Sequence, residues 1–205
     1  MAISHLRRGD VVFTADLGTA MHKVIGAAQA VGSPGGGGHA NSVHAAIATG
    51  NPGEVFESVG SGLQLRPLKP GHYRVYCYRG PLKDEVRDFA ALVAESYLAQ
   101  KDFTQGYGAY NKLKAAMCPF RLRSNAQPGP NQNTQQFGQG GDTNSSFFCS
   151  NFVWRCYTAA GEMAGLTQLP IPNSYSQISP RDLENLLTRA NHWHARDGGQ
   201  VMSHP

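Results

Sequence analysis

Four short apolar runs crowd the stretch from Val43 to Arg79, and they constrain the fold more than any other feature. They are Val43 to Thr49, Glu54 to Val59, Gly62 to Arg66 and Tyr73 to Arg79. Asn51-Pro52-Gly53 and Gly60-Ser61 separate the first three. Short β-rich runs broken by such turn residues predict antiparallel strands. Asp10-Val11-Val12-Phe13-Thr14 predicts a strand ahead of them. His192-Trp193-His194-Ala195-Arg196 predicts one that closes the sheet.

Helical periodicity surrounds this block. Residues 82 to 100 place Val86, Phe89, Ala90, Val93, Tyr97 and Leu98 on one face. A segment from Cys149 to about Ala164 predicts a second helix, with Gly165 as its stop. Ser179-Pro180-Arg181-Asp182 predicts the start of a third, with proline in its first position and acid in its first turn. Weaker helical patterns cover residues 17 to 31 and 109 to 117. The expected class is therefore α+β, a central antiparallel sheet packed against helices. With 205 residues the chain suits a single domain, 1 to 205.

Two segments resist any packed element. Gly32-Ser33-Pro34-Gly35-Gly36-Gly37-Gly38 has neither a strand leading into it nor the ending of a phosphate loop, so it reads as a connection. Residues 121 to 146 are rich in Gln, Asn, Gly, Pro and Ser and read as a polar loop insertion, a surface excursion or the rim of a cleft.

Charge and hydropathy exclude several classes. The formal net charge is +4 with no dense basic run, so a nucleic-acid groove is not expected, whereas an anionic surface is compatible. No segment reaches the ~20 apolar residues of a membrane span, and stable membrane insertion is not expected. The N-terminus has a basic pair but no apolar stretch behind it, so no Sec signal is read there. The expected location is cytoplasmic in the producer, or delivery by a specialised secretion system.

Chemistry concentrates at Cys149, in Ser145-Ser146-Phe147-Phe148-Cys149-Ser150-Asn151-Phe152-Val153-Trp154. A thiol at a helix start feels the positive end of the helix dipole, which favours thiolate. Cys156 is two helical turns further on, ~10.5 Å along the axis. A disulfide needs Cα atoms within ~7 Å, so those two are not expected to pair. Cys77 reads as a buried strand thiol and Cys118, before Pro119, as structural.

A thiol nucleophile needs a base, and the base needs an orienting group. His44 is the leading base, in a run of small residues (Ala45-Ala46-Ile47-Ala48) that lets another element come close. Glu57, between apolar neighbours on the next strand, is the leading orienter, with Glu54 a weaker competitor in the turn. His39 in the glycine-rich stretch is an alternative base. His192 and His194 alternate along one predicted strand, but two histidines without further ligands are poor evidence for zinc. No metal or organic cofactor is expected.

These residues resemble a known family. Gly9-Asp10-Val11-Val12-Phe13, His44, Phe56-Glu57 and Phe148-Cys149-Ser150-Asn151-Phe152-Val153-Trp154 are similar to the circularly permuted papain-like branch of the NlpC/p60 superfamily, and within it to the YiiX-like group. Tyr110-Asn111-Lys112-Leu113 and Ser179-Pro180-Arg181-Asp182-Leu183 fit its later landmarks. The resemblance implies a permuted papain-like fold and cysteine hydrolase chemistry on amide or ester bonds, with Cys149 as nucleophile, His44 as base and Glu57 as orienter. It points first to a cysteine peptidase or amidase that cleaves peptidoglycan peptides, as a type VI secretion effector with an immunity protein. A lipid-ester hydrolase, an acyltransferase, a host-protein deamidase and a non-enzymatic papain-like binding module remain open. The inserts at 32–38 and 121–146 depart from the family and leave specificity open.

Overall fold

The computed structural model describes residues 6–14, 42–59, 62–69, 71–100, 149–172, 178–196 and 200–201. Over these the chain is a mixed α+β structure of an antiparallel sheet and three helices. The strands are β1 (Val11–Thr14), β2 (His44–Ala48), β3 (Glu54–Val59), β4 (Gly62–Pro67), β5 (Gly71–Tyr78), β6 (Trp193–Arg196) and β7 (Gln200–Val201). The helices are α1 (Lys83–Gln100), α2 (Cys149–Met163) and α3 (Pro180–Arg189). Six strands lie in the order β4-β3-β2-β1-β5-β6, and β7 pairs with β5. The expected helices at 17–31 and 109–117, the segments 32–38 and 121–146, His39 and Cys118 lie outside the described residues.

The alternation of the strands explains the two cores. Val11, Phe13, Ala45, Ile47, Phe56 and Tyr76 point to one face and pack beneath the helices with Phe152, Val153, Trp154, Leu183 and Leu187. Val12, Ala46, Ala48, Val55, Tyr73 and Val75 point to the other and form a smaller cluster with Leu6. Burying a side chain such as Phe152 or Leu183 contributes about 1.5–3 kcal/mol. The amphipathic face expected of α1 is the buried one: Val86, Ala90, Val93 and Tyr97 are buried, and Phe89 and Leu98 pack partly against the core.

The helix ends follow their sequence signals. Gly165 has φ +69, its N–H donates to Glu162 O and the next N–H, of Leu166, donates to Gly161 O. That pair of bonds is the Schellman termination of α2. Ser179 caps α3, accepting from the Asp182 N–H at 3.1 Å. Both tryptophan N–H groups find carbonyls, Trp154 that of Pro172 and Trp193 that of Pro170.

Two polar networks tie the sheet to the helices. Glu184 of α3 is 1% exposed. It accepts from Ser42 Oγ at 2.6 Å, pairs with Arg74 Nε at 2.6 Å and accepts from Tyr76 Oη at 3.1 Å. The second network surrounds the turn before β1. Asp10 is fully buried and takes Arg196 at 2.8 Å, the Arg7 N–H at 2.9 Å and Arg87 at 3.5 Å. Burial still raises its carboxyl pKa against the pull of those donors.

Gly9 precedes Asp10 for a steric reason. Its φ is +81, and a Cβ there would lie 2.4 Å from the Arg87 carbonyl oxygen. Its own carbonyl accepts from Tyr157 Oη of α2, and its N–H donates to Ala48 O at 2.9 Å. Any side chain would push β1 away from α1 and loosen both contacts. Gly9→Ala is therefore expected to lower the free energy of unfolding by about 2–4 kcal/mol, read as a drop in urea midpoint. An unchanged midpoint would contradict this packing.

Candidate active site

The site is built where β2, β3 and the start of α2 meet. β2 and β3 pair antiparallel with Ala46 opposite Glu57. His44 lies two residues before Ala46, so it shares that face, and Glu57 is its diagonal cross-strand neighbour. Such neighbours are ~7–8 Å apart at their Cα atoms, within reach of a glutamate and an imidazole. The bond is made: His44 Nε2 lies 2.7 Å from Glu57 Oε2.

The other partner of the imidazole is Cys149, hydrogen-bonded to it through the side chain. Cys149 is the first residue of α2, and α2 packs on both β2 and β3. The next residue, Ser150, donates to Ile178 O at 2.6 Å and pins this end of the helix to the segment leading into α3. Cys149 is buried, as is His44. The three residues expected to carry chemistry are thus brought together.

The electrostatics follow from this geometry. Burial by itself disfavours an imidazolium, but the charge and hydrogen bond of Cys149 and then those of Glu57 outweigh it, and the His44 pKa is pushed up to about 10. Burial also opposes ionisation of Glu57. The hydrogen bond and charge of His44, with Arg66 and Lys69 behind them, hold its carboxyl below the ordinary 4.5. Cys156, on the same helix, shows the contrast. Burial pushes its thiol pKa well up against only the pull of Arg155, as expected of a packing residue.

The competing residues fall elsewhere. Glu54 is engaged at the β2–β3 turn by Thr49 Oγ1 at 3.1 Å and Asn51 Nδ2 at 2.8 Å. His192 is not on the strand face expected for it. It sits in the turn before β6, its ring 6.4 Å from that of Tyr78, while His194 is exposed on β6. The regular ladder begins one residue later than expected, at Trp193 opposite Tyr78, although the His192 carbonyl still accepts from the Arg79 N–H at 2.7 Å. Among the described residues no cluster of three or more His, Cys, Asp or Glu side chains is arranged to hold a metal ion. Cys77, Cys149 and Cys156 are free thiols. Among the described residues no helix is long and apolar enough to cross a membrane.

Sequence reasoning missed Arg66, whose Nη1 lies 3.2 Å from Glu57 Oε1. The signal was present in the tight β3–β4 hairpin. Pairing Val59 with Gly62 carries Arg66 opposite Val55, one diagonal from Glu57.

No family model matches the chain, and no curated protein does. Among solved structures, the crystal structure of the metalloprotein YiiX from Escherichia coli O157:H7 is similar over 95% of this chain and 98% of that one, with a TM-score of 0.47 and 15% identity.

A raised imidazole pKa and a lowered carboxyl pKa fix how the pair supports folding. His44 contributes stability that is complete below the ordinary 6.5 and is lost as pH rises through about 10. Glu57 contributes above the ordinary 4.5 and loses it as pH falls through its depressed value. The His44 ring is expected to titrate near pH 10 in an NMR-monitored titration, and Glu57→Gln to bring that midpoint down. A wild-type midpoint near 6.5 would contradict the arrangement.

Proposed function

We propose that this protein is a cysteine hydrolase of the peptidase or amidase type, on a permuted papain-like scaffold, with Cys149 as nucleophile, His44 as base and Glu57 as orienter. One observation carries the reading: a buried imidazole that bonds a carboxylate through Nε2 also interacts, by hydrogen bond and charge, with a thiol on a helix. A packing histidine needs one polar partner. Two partners, a carboxylate and a nucleophile, are what covalent catalysis requires.

The proposed steps balance. At neutral pH the pair rests as an ion pair: His44, its pKa pushed up to about 10, already holds the thiol proton, and Glu57 stabilises the imidazolium. The Cys149 sulfur attacks the carbonyl carbon of an amide, and its oxygen becomes an oxyanion held by the Cys149 backbone N–H. The tetrahedral species collapses as His44 gives its proton to the leaving amine, leaving an acyl-thioester on Cys149. Water, deprotonated by His44, then attacks the thioester carbonyl. His44 returns the proton to the sulfur as the acid leaves.

The substrate class we favour is the peptide amide of peptidoglycan. A net charge of +4 without a dense basic run suits an anionic wall polymer better than a nucleic acid. Purified sacculi are the direct test. The wild-type protein is expected to release fragments with new amine termini, and Cys149→Ala or His44→Ala to reduce release by about 10³-fold or more. Sacculi left intact would shift the reading to a lipid ester or a protein side chain, and full activity from Cys149→Ala would end it.

A further inference from the structure

Glu57 has two oxygens, and His44 uses one. The other, Oε1, faces Arg66 Nη1 at 3.2 Å. His44, Glu57 and Arg66 therefore stand on three successive strands, β2, β3 and β4, in a line across one face of the sheet. We propose that Arg66 is a positioning residue, which clamps the free oxygen of Glu57 and so fixes the carboxylate that orients His44. This rests on the assignment of Glu57 as orienter.

The geometry separates this clamp from an ordinary surface ion pair. A carboxylate held at one oxygen can turn about its last side-chain torsion, which is broad and soft. An ion pair at the other oxygen opposes that rotation and favours keeping Oε2 on the imidazole. Glu57 is largely buried, with a side chain 12% exposed, while Arg66 is 35% exposed and closes the outer end of the line. Arg66 also sits on a paired strand rather than on a loop, so its backbone is held by the ladder that positions Glu57.

Among the described residues, the groups that face Glu57 come from three other strands and α2. His44 comes from β2, with Cys149 of α2 behind it, and Gln64 and Arg66 come from β4. Lys69, beyond β4, adds a more distant positive charge. Tyr73 of β5 is close enough that Glu57, after burial, raises its phenol pKa. Arg66 is the one cation among them, other than the imidazolium, that forms an ion pair with Glu57.

The sign of the effect follows. Without the guanidinium, Glu57 loses opposing charge and protonates at a higher pH, and a protonated Glu57 no longer supports the imidazolium. The test compares wild type, Arg66→Gln and Arg66→Lys in two readouts: the Glu57 side-chain carboxyl titration by 13C NMR, and the pH profile of Cys149 alkylation by iodoacetamide. Arg66→Gln is expected to move the Glu57 midpoint and the acid limb of alkylation to higher pH, and to slow alkylation at neutral pH about two- to five-fold. Arg66→Lys, which keeps the charge, is expected to recover most of both. A Glu57 midpoint unchanged in a folded Arg66→Gln protein overturns the clamp. A midpoint that moves while alkylation does not supports the clamp and overturns Glu57 as orienter.

Discussion

The imidazole of His44 is buried, and a buried cation is costly unless opposite charge and hydrogen bonds surround it. The rest of the site can be understood as the means of meeting that requirement. Glu57 supplies one bond, at 2.7 Å, because the β2–β3 register makes it a diagonal neighbour on the same face. Cys149 supplies the other from α2. A slip of one residue in the β2–β3 ladder would turn Glu57 to the opposite face of the sheet and leave the ring without its carboxylate.

The remainder of the described fold defends that register and that helix position. Ser42 lies two residues ahead of His44, and its hydroxyl is held by Glu184, which also gathers Arg74 and Tyr76 of β5. Glu184 thus fastens α3, the lead into β2 and the middle of the sheet to one carboxylate. At the other end of β2, Gly9 and Asp10 hold Ala48, α1 and β6 together. Ser150 fixes the start of α2 to Ile178. Removing the Ser150 hydroxyl, for one, would leave the buried Ile178 carbonyl without its donor, which costs more than the bond itself contributes.

Much of this was legible in the sequence, for physical reasons. The strands from β2 to β5 announce themselves because the turn-favouring residues Asn51-Pro52-Gly53 and Gly60-Ser61 punctuate short apolar runs in the sequence. Gly165 and Ser179-Pro180 mark helix ends because left-handed φ and a fixed proline φ belong at those positions. His44, Glu57 and Cys149 were readable as a set because strand adjacency and a helix start are local properties. Arg66 was not read, since its role depends on hairpin register rather than on its neighbours in sequence. His192 was misplaced on β6 because alternation alone does not tell a strand residue from the turn before it. Glu184 was invisible for the deeper reason that its partners come from residues far away along the chain, Ser42, Arg74 and Tyr76.

The account stands on Cys149 being the activated thiol of this chain. The measurement that addresses this most directly is substoichiometric labelling with iodoacetamide near neutral pH, with the modified cysteine located by mass spectrometry. The account predicts label predominantly on Cys149, and its loss when His44 is replaced by alanine. Label appearing first on Cys77, Cys118 or Cys156, or on Cys149 at the same rate without the imidazole, would contradict it.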